Sequence, residues 1–423
     1  MIEQVKPESV GMSEDRLRRV DAWMEQHVER QRLAGVSVLI ERRGRVAYFG
    51  ARGCRSVESG QPIGADTIFR IYSMTKPITS VAAMMLYEEG RFQLDDPIAK
   101  FLPEFSEMKV WAGGTLENPQ LEPARSLITV RQLLTHTAGF SYDFMSNSPV
   151  EALYRREKIT FDRGDTSLAE VTQRLATLPL LFHPGTRWNY GFSTDVLGRL
   201  VEVVSGQPLD RFFAERIFQP LGMVDTGFHV PEEKVERFAA LYTAASGGMP
   251  PVLGAEPTQV PPDPPCGLKL VDPAAGRFAK PARILSGGGG LTSTIGDYLR
   301  FCRMLRNKGE LDGVRLLGRK TVEFMTVNHL NGSLADMGQA RFNNAHAGAG
   351  LGFGLGFAVV LDPAKTQTIG SVGEYFWTGM ANTQFWIDPS EDLIVIQMAQ
   401  HTPSVLVPLR RELRTLVYQA LVD

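Results

Sequence analysis

The sequence is short of the residues that mark several large classes of protein. Only three of its 423 residues are cysteines, Cys54, Cys266 and Cys302. An odd number so widely spread builds no disulfide framework, and reads as buried or free thiols in a reducing compartment. Neither sign of charge is in excess, with 45 Lys and Arg against 47 Asp and Glu. No basic run stands out, so neither a nucleic acid nor an anionic membrane is an expected partner. No apolar stretch is long enough to span a bilayer, and Met1 to Glu8 lacks the apolar core of a secretion leader. The expected location is the cytoplasm. His-Glu-x-x-His and Cys-x-x-Cys are both missing, so no metal and no cofactor is expected. Gly-x-Ser-x-Gly is missing too, which disfavours a Ser-His-Asp hydrolase. The Gly287–Gly290 run lacks the Gly-Lys-Ser/Thr ending of a phosphate loop and reads as a loop that packs closely.

What remains is an ordinary globular composition, 43% hydrophobic and 22% charged. The length suffices for about two or three domain-sized units. One stretch organises the chain: Ser73-Met74-Thr75-Lys76. It follows a β-prone run, Thr67 to Tyr72. It precedes apolar residues at helical spacing, Ile78, Val81, Ala82, Met85 and Leu86, with Gly90 as the stop. Pro77 is tolerated because first-turn amides have no internal acceptor. Ser73 is thus expected to open a buried helix, with Lys76 one turn along on the same face. A serine needs such a base beside it to act as a nucleophile near neutral pH. Spacing alone is weak support, because Ser-x-x-Lys arises by chance about once in a chain this long. A second copy, Ser106 to Lys109, lies in a polar stretch without a helical apolar face and reads as surface. Context selects Ser73.

Along the chain, Ser13 is expected to cap a helix through Leu17, Val20, Met24 and Val28 that ends at Gly35. Val36 to Arg42 and Arg45 to Gly50 read as a hairpin turning at Arg43-Gly44. Short helices follow, at Val130 to Leu134, Leu168 to Leu178, Asp195 to Val204, Phe212 to Phe218 and Tyr298 to Leu305. Gly247 to Pro281 is proline-rich and weakly periodic, and reads as a wall or lid over a cleft. Strands return at Phe353 to Leu361, Thr368 to Val372, Thr383 to Ile387 and Leu393 to Ala399. A last helix runs from about Val405 to Val422, with Pro408 in its first turn. Hairpin connections imply an antiparallel sheet. The expected fold class is α/β (α+β): an antiparallel sheet flanked by N- and C-terminal helices, plus an inserted mostly helical domain. Residues 1–90 and 291–423 form the sheet domain, and residues 91–290 the insert, with the site in the cleft between them.

Two further motifs carry chemistry. Trp188-Asn189-Tyr190-Gly191-Phe192-Ser193 sits between a turn and a helix, where the Tyr190 phenol can relay a proton. Taken alone, a satisfied core tyrosine is the commoner use of such a residue. Trp377-Thr378-Gly379-Met380 precedes a C-terminal strand. Glycine there lets the backbone approach a ligand, and an edge strand offers free amides to an oxyanion. A plain turn is the bland alternative. Of the histidines, His136 reads as a hydrogen-bonding residue at a turn and His346 as an exposed loop residue.

Taken together, these motifs resemble the serine β-lactamase-like, penicillin-binding-protein superfamily, whose signatures are Ser-x-x-Lys, a Tyr-x-x triplet and Lys-Thr-Gly. The branch they most resemble is the family VIII carboxylesterases, relatives of class C β-lactamases. Phe69-Arg70-Ile71, the Leu133 to Gly139 block, Pro184-Gly185 and the Gly287 to Thr294 run fall in the same order, so the likeness spans nearly the whole chain. The resemblance implies two-step acyl transfer: Ser73 as nucleophile, Lys76 and Tyr190 as general base and acid. It also implies an oxyanion hole from the amides of Ser73 and Met380, and substrate contacts from Trp377, Gly379, Phe192 and Tyr72. Two departures bear on substrate. Trp377 stands where β-lactamases carry lysine, and Phe192 where they carry asparagine. Both make the pocket more apolar and favour neutral esters over penicillins or D-Ala-D-Ala peptides; short-chain or bulky esters are the expected substrates. An acyltransferase with the same residues, or a β-lactamase or DD-peptidase-like activity, is the alternative; a non-catalytic relative is disfavoured by the retained trio. The expected partner is a small-molecule ester.

Overall fold

The computed structural model describes residues 2–160, 165–245, 266–338 and 348–423, apart from position 408. His346 and most of the proline-rich stretch, residues 247–265, lie outside the described residues, as does the placement of Pro408. Helix α1, Glu14–Glu29, begins where the Ser13 side chain accepts the Arg16 amide. It stops earlier than expected: Gln31 takes a left-handed φ of 52°, and Gly35 is the first residue of a strand. That strand, β1 (Gly35–Arg42), pairs with β2 (Arg45–Gly53). Arg43 and Gly44, with φ of 53° and 74°, make the tight turn between them. Helix α2, Thr75–Glu88, follows a short 3-10 turn at Tyr72–Met74. Every residue from Thr75 to Leu86 is buried, which marks a central helix covered on all sides. Gly90, at φ 71°, ends it.

Five more strands complete one sheet: β3 (Leu351–Phe353), β4 (Ala358–Val360), β5 (Tyr375–Gly379), β6 (Thr383–Asp388) and β7 (Leu393–Ala399). Its order is β3-β4-β5-β6-β7-β1-β2, antiparallel throughout. Strands from both ends of the sequence therefore meet at the β7–β1 junction, as expected. Successive residues of a strand face opposite sides. On β6, Phe385 meets Tyr298 of helix Ile295–Arg306, while Trp386 meets Arg414 of the last helix, Leu409–Tyr418. Those two helices thus cover opposite faces. The last helix also joins α1, where Trp23 Nε1 donates to Glu412 Oε2 at 2.7 Å.

Two strand expectations and one helix expectation are corrected. Thr368–Val372 is not a strand; Tyr375–Gly379 is. Phe353–Leu361 is split into β3 and β4 by a turn in which Gly356 has φ 100°. The last helix is shorter than expected, because a separate 3-10 turn occupies Ser404–Leu406. Two hairpins were also missed, Lys109–Gly114 with Pro119–Pro123 and Leu241–Ala244 with Leu268–Asp272. The second strand of the first pair is exposed throughout, so no hydrophobic alternation announces it.

Candidate active site

Strand Ile68–Arg70 pairs with Thr292–Thr294 and delivers the chain to Tyr72. Tyr72 has φ 43°, a left-handed conformation that costs an L-residue about 1–2 kcal/mol. Its ring meets Phe278 edge-on at 6.0 Å. The turn throws Ser73 outward at the N-terminus of α2, where Lys76 lies on the same face, Nζ 3.2 Å from Ser73 Oγ. Lys76 Nζ also donates to the Gly288 carbonyl at 2.6 Å. The amine lies 4.6 Å from the Tyr190 ring centroid and 5.3 Å from that of Tyr142. Burial pushes its pKa down from 10.5 to about 7, against the opposing pull of the Asp195 carboxylate.

Tyr190 comes from the turn ahead of helix α3, Ser193–Ser205. Its hydroxyl meets the Ser73 hydroxyl, the Trp377 indole and the Tyr142 phenol. Burial is the largest influence on that hydroxyl and raises its pKa, so the group stays protonated near neutral pH. Aromatic rings box it in: His136 at 5.0 Å, Tyr142 at 5.3 Å and Trp377 at 5.5 Å between centroids. His136 is buried, and burial followed by the Lys76 charge holds it well below its usual pKa. It is a neutral ring packed behind Tyr190.

Strand β5 carries Trp377 and Gly379. It is an internal strand, yet β4 pairs only with Tyr375 and Phe376. The Trp377–Gly379 end therefore projects past the β4 pairing. Gly379 is required by close approach, because a Cβ there would strike the Ile71 carbonyl. The β5–β6 turn is tied to the same carbonyl by Thr383 Oγ1 at 3.2 Å. Among the described residues, neither the Ser73 N–H nor the Met380 N–H donates to a backbone carbonyl. Phe192 is buried beneath the site, edge-on to Tyr142 at 4.7 Å.

The structure thus gathers Ser73, Lys76, Tyr190, Trp377 and Gly379 around one point, with Phe192 and Tyr72 behind them. Two residues here were not singled out from the sequence. Asp195, in the first turn of α3, accepts Ser286 Oγ at 2.5 Å and the Gly288 amide at 3.0 Å. Burial raises its carboxyl pKa, with Lys76 the largest opposing influence. The Gly288–Gly289 segment is consequently bound from two sides, by Asp195 and by Lys76, and a Cβ at Gly288 would collide with Asp195. Tyr142 follows the His136-to-Gly139 block by three residues. The usable signals were an acid in the first turn of an apolar helix and a tyrosine just beyond a glycine turn.

Comparison with known proteins places this arrangement. The beta-lactamase family profile matches residues 20–419. Protein Rv1367c of Mycobacterium tuberculosis is 37% identical over 381 residues, 89% of this chain and 88% of that protein. Esterase EstB of Burkholderia gladioli is 34% identical over 416 residues, 95% of this chain and 94% of EstB. The structure of EstCE1, described as a hydrolase with promiscuous acyltransferase activity, aligns with a TM-score of 0.76 at 28% identity, over 96% of this chain and 99% of EstCE1. A family profile that spans almost the whole chain, joined to an esterase relative of equal extent, makes this protein a member of the beta-lactamase family and a serine hydrolase built on that fold.

Proposed function

We propose that the protein is a carboxylesterase that cleaves neutral, short-chain esters through an acyl-enzyme on Ser73. The observation that carries this reading is the buried Lys76 amine, 3.2 Å from Ser73 Oγ and poised by burial at a pKa of about 7. In its neutral form the amine donates to Gly288 O and presents its lone pair to the serine hydroxyl. Ser73 Oγ attacks the ester carbonyl while its proton passes to Lys76. The amides of Ser73 and Met380 receive the oxyanion, one such donor being worth about 3 kcal/mol. Tyr190, kept protonated by burial, gives its proton to the departing alkoxide and is reprotonated from Lys76. Water then repeats the sequence in reverse roles and frees the acid and Ser73.

The site lies, on this reading, in the cleft between the sheet unit of residues 1–90 and 291–423 and the inserted residues 91–290. Trp377, Gly379, Tyr72 and Phe192 shape its apolar walls, Phe192 acting through the Tyr142 ring that it supports. Support comes from the esterase name of EstB and from the apolar residues at the two positions where lactam-hydrolysing relatives carry polar ones. Acyl transfer to an alcohol is the second reading, favoured by the description of EstCE1. A chromogenic acyl ester, turned over with and without a competing primary alcohol, tests both. Hydrolysis that persists with little diversion of acyl product supports the esterase; majority diversion supports the transferase; no turnover of any ester rejects both.

A further inference from the structure

The sheet has a second polar feature, on the face away from Ser73. Trp377 of β5 turns toward Tyr190, so its neighbour Phe376 turns the other way. There the Arg410 guanidinium lies flat over the Phe376 ring, 3.5 Å from its centroid. Stacking of this kind uses the plane of the guanidinium and leaves its in-plane N–H groups free. Among the described residues Arg410 forms no salt bridge, and the Phe376 ring is its direct contact. Its side chain lines a small pocket, open to solvent, between the β3–β4 edge and the last helix, together with Arg411, Arg414, Thr366 and Thr368.

The charge balance there is uneven. Arg414, buried, is matched by Glu374: Nη1 donates to Oε1 at 2.6 Å and Nη2 to Oε2 at 2.5 Å. Glu374 Oε2 also accepts the Tyr418 hydroxyl, which reaches on to Asp388. Both carboxylates are therefore engaged with Arg414 and Tyr418. Among the described residues no carboxylate is paired with Arg410, which is half-buried, or with Arg411, which is exposed. Burial and the neighbouring Arg414 push the Arg410 pKa down to about 9, with Glu374 opposing. An arginine so placed remains a cation, and a stacked, partly desolvated cation beside a like charge is a group that an anion would stabilise.

We infer that this cavity is a binding site for a small oxyanion of the phosphate type, gripped by Arg410 with help from Arg411 and Arg414. A planar fork with free in-plane donors suits bidentate contact with such an ion. Its occupation would tie the last helix to the β3–β4 edge, remote from the ester site. Thr366 and Thr368 also line the pocket, and the hydroxyl of each already donates to the protein.

Calorimetric unfolding of the full chain tests this in a phosphate-free buffer, with sodium chloride adjusted to hold ionic strength constant. Inorganic phosphate is expected to raise Tm along a saturable curve. Arg410→Met keeps an apolar stem over Phe376 and removes the charge. It is expected to weaken phosphate binding by about tenfold or more while ester hydrolysis is unchanged. Arg410→Lys keeps the charge without the fork and is expected to fall between the two; it also serves if the methionine variant fails to fold. Methyl phosphate behaving as inorganic phosphate assigns the site to a phosphoryl group on a larger molecule, and inorganic phosphate alone assigns it to the free ion. No saturable shift in the wild type, an undiminished shift in both variants, or acetate matching phosphate would overturn the proposal.

Discussion

Burial strips water from the Lys76 amine and so favours its neutral form. The same shift that would fit it to act as the proposed base makes it a burden on the fold. The folded pKa, about 7, lies below the unfolded value of 10.5. Between those values the unfolded chain binds more protons, so stability rises with pH across that window. The burden is full below about pH 7 and fades toward 10.5. Two outcomes follow. First, kcat/KM for a neutral ester rises with pH and levels off above an apparent pKa near 7, a limb that a pH–rate profile resolves. Second, Lys76→Met abolishes turnover yet stabilises the protein by about 1–2 kcal/mol at neutral pH, an increment that shrinks toward pH 10 in denaturant titrations. The increment is smaller than the shift alone suggests because Asp195 loses its facing cation. Tyr190 obeys the opposite logic. Burial keeps its phenol protonated, so Tyr190→Phe removes a donor without adding a charge. It is expected to lower kcat by about 10²–10⁴-fold with little change in KM, as steady-state kinetics on the variant would show.

At the scale of elements, the site depends on how closely β5 approaches the strand ahead of Ser73. Gly379 and Thr383 both abut the Ile71 carbonyl. Gly379→Ala is expected to push the two apart, destabilising the fold by about 1–3 kcal/mol and slowing acylation more than it weakens binding. Denaturant midpoints together with single-turnover acylation rates check both parts. The elements that were legible in advance explain themselves physically. Helix α2 shows its apolar spacing and its Gly90 stop, and the β1–β2 hairpin shows its Arg43-Gly44 turn. Strand β5 escaped notice because its sequence, Tyr375-Phe376-Trp377-Thr378-Gly379, is apolar on both faces and carries no alternation. The second strand of the hairpin at Lys109–Pro123 escaped for the opposite reason, having no buried face to declare. Asp195 and Tyr142 were hidden because each looked like a local residue, a first-turn acid and a loop aromatic. Only the packing of α3 and the Gly287 run against α2 brings them to the amine.

For the whole molecule, the chain's two ends build one sheet, and the groups proposed to react come from well-separated parts of the sequence: α2, the turn before α3 and the end of β5. Such a site has low sequence locality, which is why spacing alone could not choose between Ser73 and Ser106 while the order of motifs could. Among the described residues no helix is long and apolar enough to cross a membrane. On the proposed reading, the walls of the assembled site select the substrate's charge. With Trp377 buried where a lysine would offset a carboxylate, an acidic group on the substrate would be desolvated without a partner. An uncharged acyl ester is therefore expected to exceed its carboxylate-bearing analogue in kcat/KM by about tenfold or more, by direct competition assays. The central claim, that Lys76 activates Ser73 for covalent catalysis, is tested most directly by mass spectrometry of the protein quenched during turnover of a slow ester. The account predicts one retained acyl group on the peptide holding Ser73, none in Ser73→Ala, and far slower accumulation in Lys76→Ala. An acyl group on any other side chain, or accumulation at the wild-type rate without Lys76, would contradict it.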